Sequence, residues 1–600
     1  MRFASKIKGT DGQNPFSDSQ ARNFSDQKVF REFYPISLFW TLFNDQHEVL
    51  LGARGSGKTF LLKMMRYSML KRINDDKAKT LVREKRFIAV YVPMHLEFVL
   101  PFNNKKLTEE KMIALFQIAF NCYLSESLLT ELNSMIDEIE EEKEKIQAQI
   151  ELVRGLEELW FGEKSGINDF DSLTNRIRKV YYAIDWDNAL LESVPAVFKR
   201  QICSPLVSAQ RIIVKSLKLD AEPTWIVCVD EAEFLNDTLQ RCINGIFRSD
   251  SNRIALKIAT LPFYHSTLET LEKGIVVSDG NDFNYTIVDM QYDGSDFVGL
   301  TNSLCKHRLE ERFSNTDICE TVEDFVGVEG KDDYIDYYRR EVGEEKATQE
   351  VIKEEIISAF ADKRKNGTKK YSNDRKTIFD KFAPIFYLRE MKKLSGMGNH
   401  KPGWFAGAKM IRRVSQGNPR LFIQVMSELF EKAKSTELTA KAQHEVIYDF
   451  AGNICSSTKA LEVNGPRAYK NLDIIATRLS NKVHGEYLVT GGNTFTIKYS
   501  GENNFCEEID WIKLAIAYSR VIVDERIKRT GITPDTKYSL SNAYAIKYWI
   551  PMRSDNAMSI TLDDNIDNEY KVESRKKKKT STEDNYHQLT LFEANNEENK

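Results

Sequence analysis

At 600 residues, 42% apolar content and a net charge of −4, the chain can bury several cores and is not globally basic, so any nucleic-acid surface has to be a local patch. Its eight cysteines are scattered with no C-x-x-C pair, which argues against structural zinc or a disulfide framework and fits a reducing cytoplasm. The opening MRFASKIKGTDGQNPF lacks the apolar run of a signal peptide, and no stretch approaches the roughly 18 apolar residues of a membrane helix, so the expectation is a soluble cytoplasmic protein with no membrane partner.

In chain order, the first chemistry-bearing segment is HEVLLGARGSGKTFLLKMM. Val49-Leu50-Leu51 reads as a short buried strand. Gly52-Ala53-Arg54-Gly55-Ser56-Gly57-Lys58-Thr59 fits G-x-x-x-x-G-K-[ST], and helical spacing follows. Strand, glycine-rich loop and helix are the context a phosphate-binding loop requires. Glycines let backbone N–H groups turn inward around phosphates, and the helix presents its positive end to them. Lys58 is expected to reach the β- and γ-phosphates of ATP, and Thr59 to hold Mg²⁺. A glycine-rich turn that binds nothing is the alternative.

Residues 107–160 have strong helical character. Leu128, Leu132, Met135, Ile139, Ile146, Val153, Leu156 and Trp160 fit alternating four- and three-residue steps, interrupted at Glu142 and Gln149. A helix or hairpin packed on the domain is the favoured expectation; an arm for self-association or a partner is the other. Next, TWIVCVDEAEFL gives a strand of uninterrupted apolar residues, as in a parallel sheet covered on both faces. It ends in Asp230, placed to orient Mg²⁺ through water, and Glu231, placed to polarise a water for attack on the γ-phosphate. Adjacent Asp-Glu marks the ATPase class in which an extra strand separates the loop strand from the acidic strand. Thr260 closes the next strand, RIALKIAT, where a polar side chain could sense the γ-phosphate. Residues 330–372 form a charged insertion without identifiable chemistry. In RRVSQGNPRLFIQVM, Gly417-Asn418-Pro419 breaks the chain and starts a helix with Arg420 in its first turn. That is an electrostatically poor place for a cation unless an anion lies nearby.

Beyond residue 450, LDIIATRLSNKVHGEYLVTGGNTFTIKYSG reads as a helix and a hairpin. Tyr487, Val489, Phe495, Ile497 and Tyr499 alternate around a Gly491-Gly492-Asn493 turn. Arg467, Lys470, Arg478, Lys482 and Lys498 outnumber the local acids Asp473 and Glu486. Lys482 and Lys498 are the candidate DNA contacts; a small structural domain with solvated lysines is the other reading. The tail is polar enough to be disordered. Its basic run, Arg575 to Lys579, reads as a linker or weak DNA tether.

The order of these pieces resembles an AAA+ ATPase of the origin-recognition and origin-licensing type, and more closely its bacterial relatives. FREFYPISLFWTLFNDQHEVLLGARGSGKTFLLK, VCVDEAEFL, KIATLPF and VSQGNPR carry the likeness, over roughly residues 25–100, 200–300 and 380–435. The resemblance implies an α/β fold with a parallel P-loop NTPase sheet, a helical lid and a C-terminal winged-helix-like α+β domain. It gives Thr260 the first sensor role and Arg420 the second, and it implies action on DNA, in relatives often tied to mobile elements or phage defence. The expected layout is a lead-in 1–45, an ATPase core 46–300 with a helical insertion about 101–205, a lid 301–450, a winged-helix-like domain 451–555 and a disordered tail 556–600. One departure stands out: no arginine lies between Thr260 and Lys306, where AAA+ rings carry an arginine finger. Arg248 and Arg253 are the nearest candidates. Signalling ATPases of the STAND type work without that finger, so a switch that controls an effector protein without touching DNA is the alternative. Finally, Gln588-Leu589-Thr590-Leu591-Phe592 is similar to the Q-L-x-L-F peptide with which bacterial proteins dock on the replication sliding clamp. Gln588 would supply hydrogen bonds, and Leu589, Leu591 and Phe592 the apolar contacts.

Overall fold

The computed structural model describes residues 4, 7, 13–19, 24–103, 107–184, 193–248, 253–310, 313, 319–327, 354, 356, 375–396, 402–485, 489, 491–499 and 502–562. Nearly all of the charged insertion 330–372, the basic run Arg575–Lys579 and the peptide Gln588–Phe592 lie outside these residues.

Five strands form one parallel sheet: β1 (Glu48–Leu51), β2 (Phe87–Pro93), β3 (Thr224–Asp230), β4 (Ile254–Thr260) and β5 (Asn284–Ile287), in the order β2-β3-β4-β1-β5. β4 therefore separates the strand before the glycine-rich loop from the strand that ends in Asp230. The uninterrupted apolar runs follow from burial on both faces, because successive side chains point to opposite sides of a sheet. Val49, Leu51, Val227 and Val229 enter one core, and Leu50, Ile226 and Cys228 enter the other.

The first of these cores receives the helices between β2 and β3. Helix Glu109–Ile136 and helix Glu142–Phe161 bury Leu128, Leu132, Met135, Val153, Leu156 and Trp160 in one cluster with the sheet. The heptad-like seam is thus the inner face of a hairpin within one chain. Only Ile146, on the outer rim, is exposed from that set. Glu109–Ile136 is also apolar and long enough by composition to cross a membrane, contrary to the expectation from the sequence. It packs along β2, its apolar residues joining the sheet core, and it is the single helix among the described residues that passes that test.

A second region is helical. Helices Ser295–Glu310, Arg375–Ser395, Ala408–Val414, Pro419–Ser435 and Ala440–Ser457 share a core with Ala4, Ile7 and Phe16 from the lead-in. The lead-in is split: Asn14 is tied to Ser427, while Val29 and Phe39 pack on the sheet. Helix Ala440–Ser457 runs through the expected boundary near residue 450.

The C-terminal unit has helices Gly465–His484, Glu502–Ala517, Glu525–Thr530 and Asn542–Lys547 around a small sheet. Its strands are β6 (Thr494–Lys498), β7 (Val521–Ile522), β8 (Tyr538–Leu540) and β9 (Met558–Thr561), in the order β7-β8-β6-β9. This corrects the expected hairpin. β6 pairs antiparallel with β8 and parallel with β9, not with a strand through Val489. Phe495 and Ile497 do face the core as their alternation requires, but their cross-strand partners come from farther along the chain. Tyr487 lies outside the described residues.

One buried ion pair ties the sheet together at the opposite end from the loop. Lys257, on β4 and fully buried, donates from Nζ to Glu48 Oε1 on β1, Asn44 Oδ1 and the Gln46 carbonyl, each at 2.8 Å. Removing one partner of such a pair strands a charge. Lys257→Ala is therefore expected to lower unfolding free energy by ~3–5 kcal/mol, whereas Lys257→Met with Glu48→Leu should recover most of it; urea denaturation followed by tryptophan fluorescence measures both.

Candidate nucleotide-binding site

The loop Gly52–Gly57 leaves the C-terminal end of β1 and enters helix Lys58–Met65. Two glycines have specific reasons to be there. Gly57, the residue before the helix, has φ +99 with no neighbour within 4 Å of a built Cβ, so conformation and not crowding demands glycine. Gly55 has φ +89 and is also crowded. A Cβ there would come within 2.7 Å of Arg420 Cβ and 2.8 Å of Asn418 Oδ1.

That crowding is the docking of the Gly-Asn-Pro-Arg turn on the loop. Asn418 caps helix Pro419–Ser435, its Oδ1 accepting from the Arg420 and Leu421 N–H groups at 3.0 and 3.3 Å. Its Nδ2 donates to the Arg54 carbonyl at 2.9 Å. Arg420 is thereby carried to the cleft, where the cation expected from the sequence lines one wall.

Opposite stands the end of β3. Asp230 is buried and accepts from the Tyr91 hydroxyl at 2.8 Å and from the Thr59 hydroxyl. Burial raises its pKa, and those hydrogen bonds oppose the rise. Glu231 has φ +59, a left-handed conformation uncommon for a residue with a side chain, and its carboxylate lies 3.6 Å from His95 Nδ1. Lys58 is buried, and its Nζ folds back to the Gly52 and Ala53 carbonyls at 2.6 and 3.2 Å. Burial lowers its pKa, while the Glu233, Asp289 and Asp230 carboxylates act to hold its charge. The cleft has a volume of about 270 Å³ and is lined by Arg54 to Thr59, Asp230, Glu231, Glu233 and Arg420, among others. An apolar slot of about 60 Å³ adjoins it, between Phe33, Tyr34, Ile36, Phe60, Met290 and Ile423.

The residues present suit a nucleotide with Mg²⁺. The buried Ser56 hydroxyl has no hydrogen-bond partner among the described residues, and the space beside Gly57 holds no neighbouring atom within 4 Å of a built Cβ. Among the described residues no cluster of three His, Cys, Asp or Glu side chains forms a closed metal cage. The Thr59–Asp230 pair instead matches Mg²⁺, an ion held largely by substrate phosphates and water.

Gly52, Gly55, Ser56, Gly57, Lys58, Thr59, Asp230, Glu231 and Arg420 are thus brought together. Thr260 is not among the residues lining the cleft. It ends β4 beside Leu51 and lines a separate small pocket with Gln240, Tyr264 and His265. Arg248 is paired with Asp282, and Arg253 donates to the Glu222 carbonyl. Arg253 immediately precedes β4, so it lies at the end of the sheet away from the loop. Several residues of the site carried no sequence signal. Tyr91 and His95 follow from strand register alone; Asp289, Tyr518 and Lys528 act at the loop from distant segments. Glu233 had a faint one, as the third acid in Asp230-Glu231-Ala232-Glu233.

A family model described as ORC-CDC6-like matches residues 14–560, nearly all of the chain. This chain belongs to the ORC-CDC6-like family. No curated protein matches it. For an ORC-CDC6-like protein, an AAA+ ATPase family, the β2-β3-β4-β1-β5 order and the loop facing Asp230 are the expected frame. The match also spans both the helical region and the C-terminal unit, so neither is an appendage to the family's unit.

Glu233 yields a pH prediction. Its Oε2 is buried without a hydrogen-bond partner, and burial raises its pKa to about 7. A carboxyl with a raised pKa binds its proton more tightly in the folded state. Its folded form therefore loses stability as pH rises from the ordinary carboxyl range through about 7, and is unaffected below that range. Glu233→Gln should flatten this slope and leave the protein more heat-resistant than wild type at pH 8, as thermal melts from pH 5 to 8 will show.

Proposed function

We propose that this protein is an ATP-hydrolysing switch of the AAA+ class that acts on or near DNA. The observation that carries the reading is the meeting of Lys58, the adjacent Asp230 and Glu231, and Arg420, from three separate segments, around one cleft. Lys58 would exchange its two loop carbonyls for β- and γ-phosphate oxygens. Arg420 would approach the same phosphates from the helical region, which then acts as a lid. Glu231 would accept hydrogen bonds from, and so orient, the attacking water. Thr59 and Asp230 would hold Mg²⁺, which when bound supplies positive charge against the charge developing on the phosphates. The apolar slot beside Phe60 has the character of a base site, which favours a planar purine ring. A cytoplasmic location fits this role.

DNA contact is assigned to the C-terminal unit, read as winged-helix-like. Lys482 and Lys498 are both exposed. Arg389 and Lys392 reach the same helix end as Lys482, donating to the Gly485 carbonyl at 2.6 Å and Ser480 Oγ at 3.1 Å. A different observation favours the rival signalling switch. Arg467 is paired with Glu508 at 2.8 Å, so the basic surface is smaller by that charge than the sequence suggests. The tail peptide Gln588–Phe592 is proposed as a tether to a bacterial sliding clamp, and action in phage defence or on a mobile element as the setting. A peptide of residues 586–593 should bind such a clamp with a Kd of ~1–10 μM, lost on Leu591→Ala with Phe592→Ala.

Two experiments test the central claim. Lys58→Ala should abolish nucleotide binding, and Glu231→Gln should retain it while hydrolysing ATP at least ~100-fold more slowly; equal turnover in Glu231→Gln and wild type removes Glu231 from the mechanism. In a fluorescence titration with duplex DNA, Lys482→Gln with Lys498→Gln should weaken ATP-dependent binding and flatten its salt dependence, because each phosphate contact releases about one counterion. An unchanged isotherm shifts the weight to the signalling switch.

A further inference from the structure

The glycine-rich loop is held from outside the ATPase sheet at successive residues. The Ala53 N–H donates to Asp289 Oδ1 at 2.8 Å, and Asp289 Oδ2 accepts from Lys528 Nζ at 2.6 Å. The next N–H, that of Arg54, donates to the Ala517 carbonyl at 2.8 Å. The Arg54 guanidinium donates to the Tyr518 hydroxyl at 3.1 Å and lies 5.6 Å from that ring's centre. The Tyr518 hydroxyl in turn donates to Glu462 at 3.0 Å, and Glu462 also accepts from Tyr264, just beyond β4, at 3.3 Å. Ala517, Tyr518 and Lys528 all belong to the C-terminal unit, which has a core of its own. Phe263, at φ 70, packs into that core two residues after Leu261, which lines the cleft.

We propose that the C-terminal unit is a working part of the nucleotide site: through Ala517, Tyr518 and Lys528 it sets the conformation of the loop, so that whatever binds that unit changes nucleotide affinity. The inference rests on the reading of the cleft as an ATP site. The N–H groups that cradle phosphate follow directly after Arg54. They converge only if the residues before them are fixed, and a preorganised loop binds more tightly than one that must be ordered by its ligand. Hydrogen bonds weaken steeply once stretched or bent. A small displacement of the C-terminal unit would therefore release Arg54 and take Lys528 from Asp289, loosening the residue that holds the Ala53 N–H, while the Asn418 contact remains. The coupling is reciprocal: nucleotide that tightens the loop must tighten the hold on the C-terminal unit. Tyr518 and Lys528 are positioning residues here, since neither is among the residues lining the cleft.

The test uses the full-length chain and a fluorescent ATP analogue with Mg²⁺. Tyr518→Phe keeps the ring and deletes the hydroxyl; Lys528→Ala deletes the cation and Lys528→Arg restores it. Each disabling change is expected to raise the nucleotide Kd by ~3–10-fold, the worth of one or two hydrogen bonds of this kind. The double change should raise it further, and Lys528→Arg should return most of the affinity. Melting temperature should stay near that of wild type, and steady-state turnover should show a raised KM with kcat within about twofold, because the carboxylates are untouched. Nucleotide should also slow amide exchange over residues 514–530 in the wild type. Binding within twofold of wild type in the double variant overturns the proposal. So does weakened binding that tracks a lower melting temperature and is not rescued by Lys528→Arg. A wild-type chain that binds no nucleotide overturns the reading of the cleft itself, a result distinct from either.

Discussion

A phosphate-binding loop can turn its N–H groups inward only while its outward-facing groups are held elsewhere, because a buried polar backbone group left unpaired costs free energy comparable to a lost hydrogen bond. In this protein the holding is done across long sequence distances. The Arg54 carbonyl is bound by Asn418, 364 positions away, at the one place where a side chain on Gly55 would forbid the approach. The same contact seats Arg420 in the cleft. Loop conformation, the position of the helical region and the placement of the second cation are therefore one constraint.

The sheet order supplies the other half of the site. Adjacent strands lie about 4.8 Å apart, so inserting β4 between β1 and β3 sets the acidic strand end roughly 10 Å from the strand that feeds the loop. That gap leaves room for phosphates between Lys58 and the carboxylates without letting the charges collapse on one another. Register completes the arrangement. Pro93 pairs with Asp230 and Tyr91 with Cys228, which brings the Tyr91 hydroxyl onto Asp230 and lets the chain after β2 carry His95 towards Glu231. The Lys257–Glu48 pair joins the start of β1 to the middle of β4, away from the loop, where it stabilises the frame without competing for the cleft.

The large helical insertion is packing in service of that frame. A sheet with continuous apolar strands has to be covered on both faces, and the helices from the lead-in and after the loop cover only one. Helices Glu109–Ile136 and Glu142–Phe161 cover the other, which is why a segment with coiled-coil spacing and enough apolar length for a membrane is a core element here.

Local patterns made much of the ATPase legible. The spacing in Gly52–Thr59, the apolar runs before Leu51 and Asp230, and the break at Gly417-Asn418-Pro419 each arise from interactions within a few residues: φ values only glycine tolerates, side-chain alternation, capping of a helix start. Those determine which groups can bind phosphate and roughly where they sit along the chain. Pairing of distant segments is a different matter. That β6 takes β8 and β9 as partners and not a hairpin arm, that Thr260 borders a separate pocket, that Arg467 is paired with Glu508, and that Tyr518 holds Arg54 while Lys528 holds Asp289 could not be read from composition or period. A hydrogen bond between residues hundreds of positions apart leaves no periodic trace in either segment. Its existence depends on how whole elements pack, so only the tertiary structure decides it.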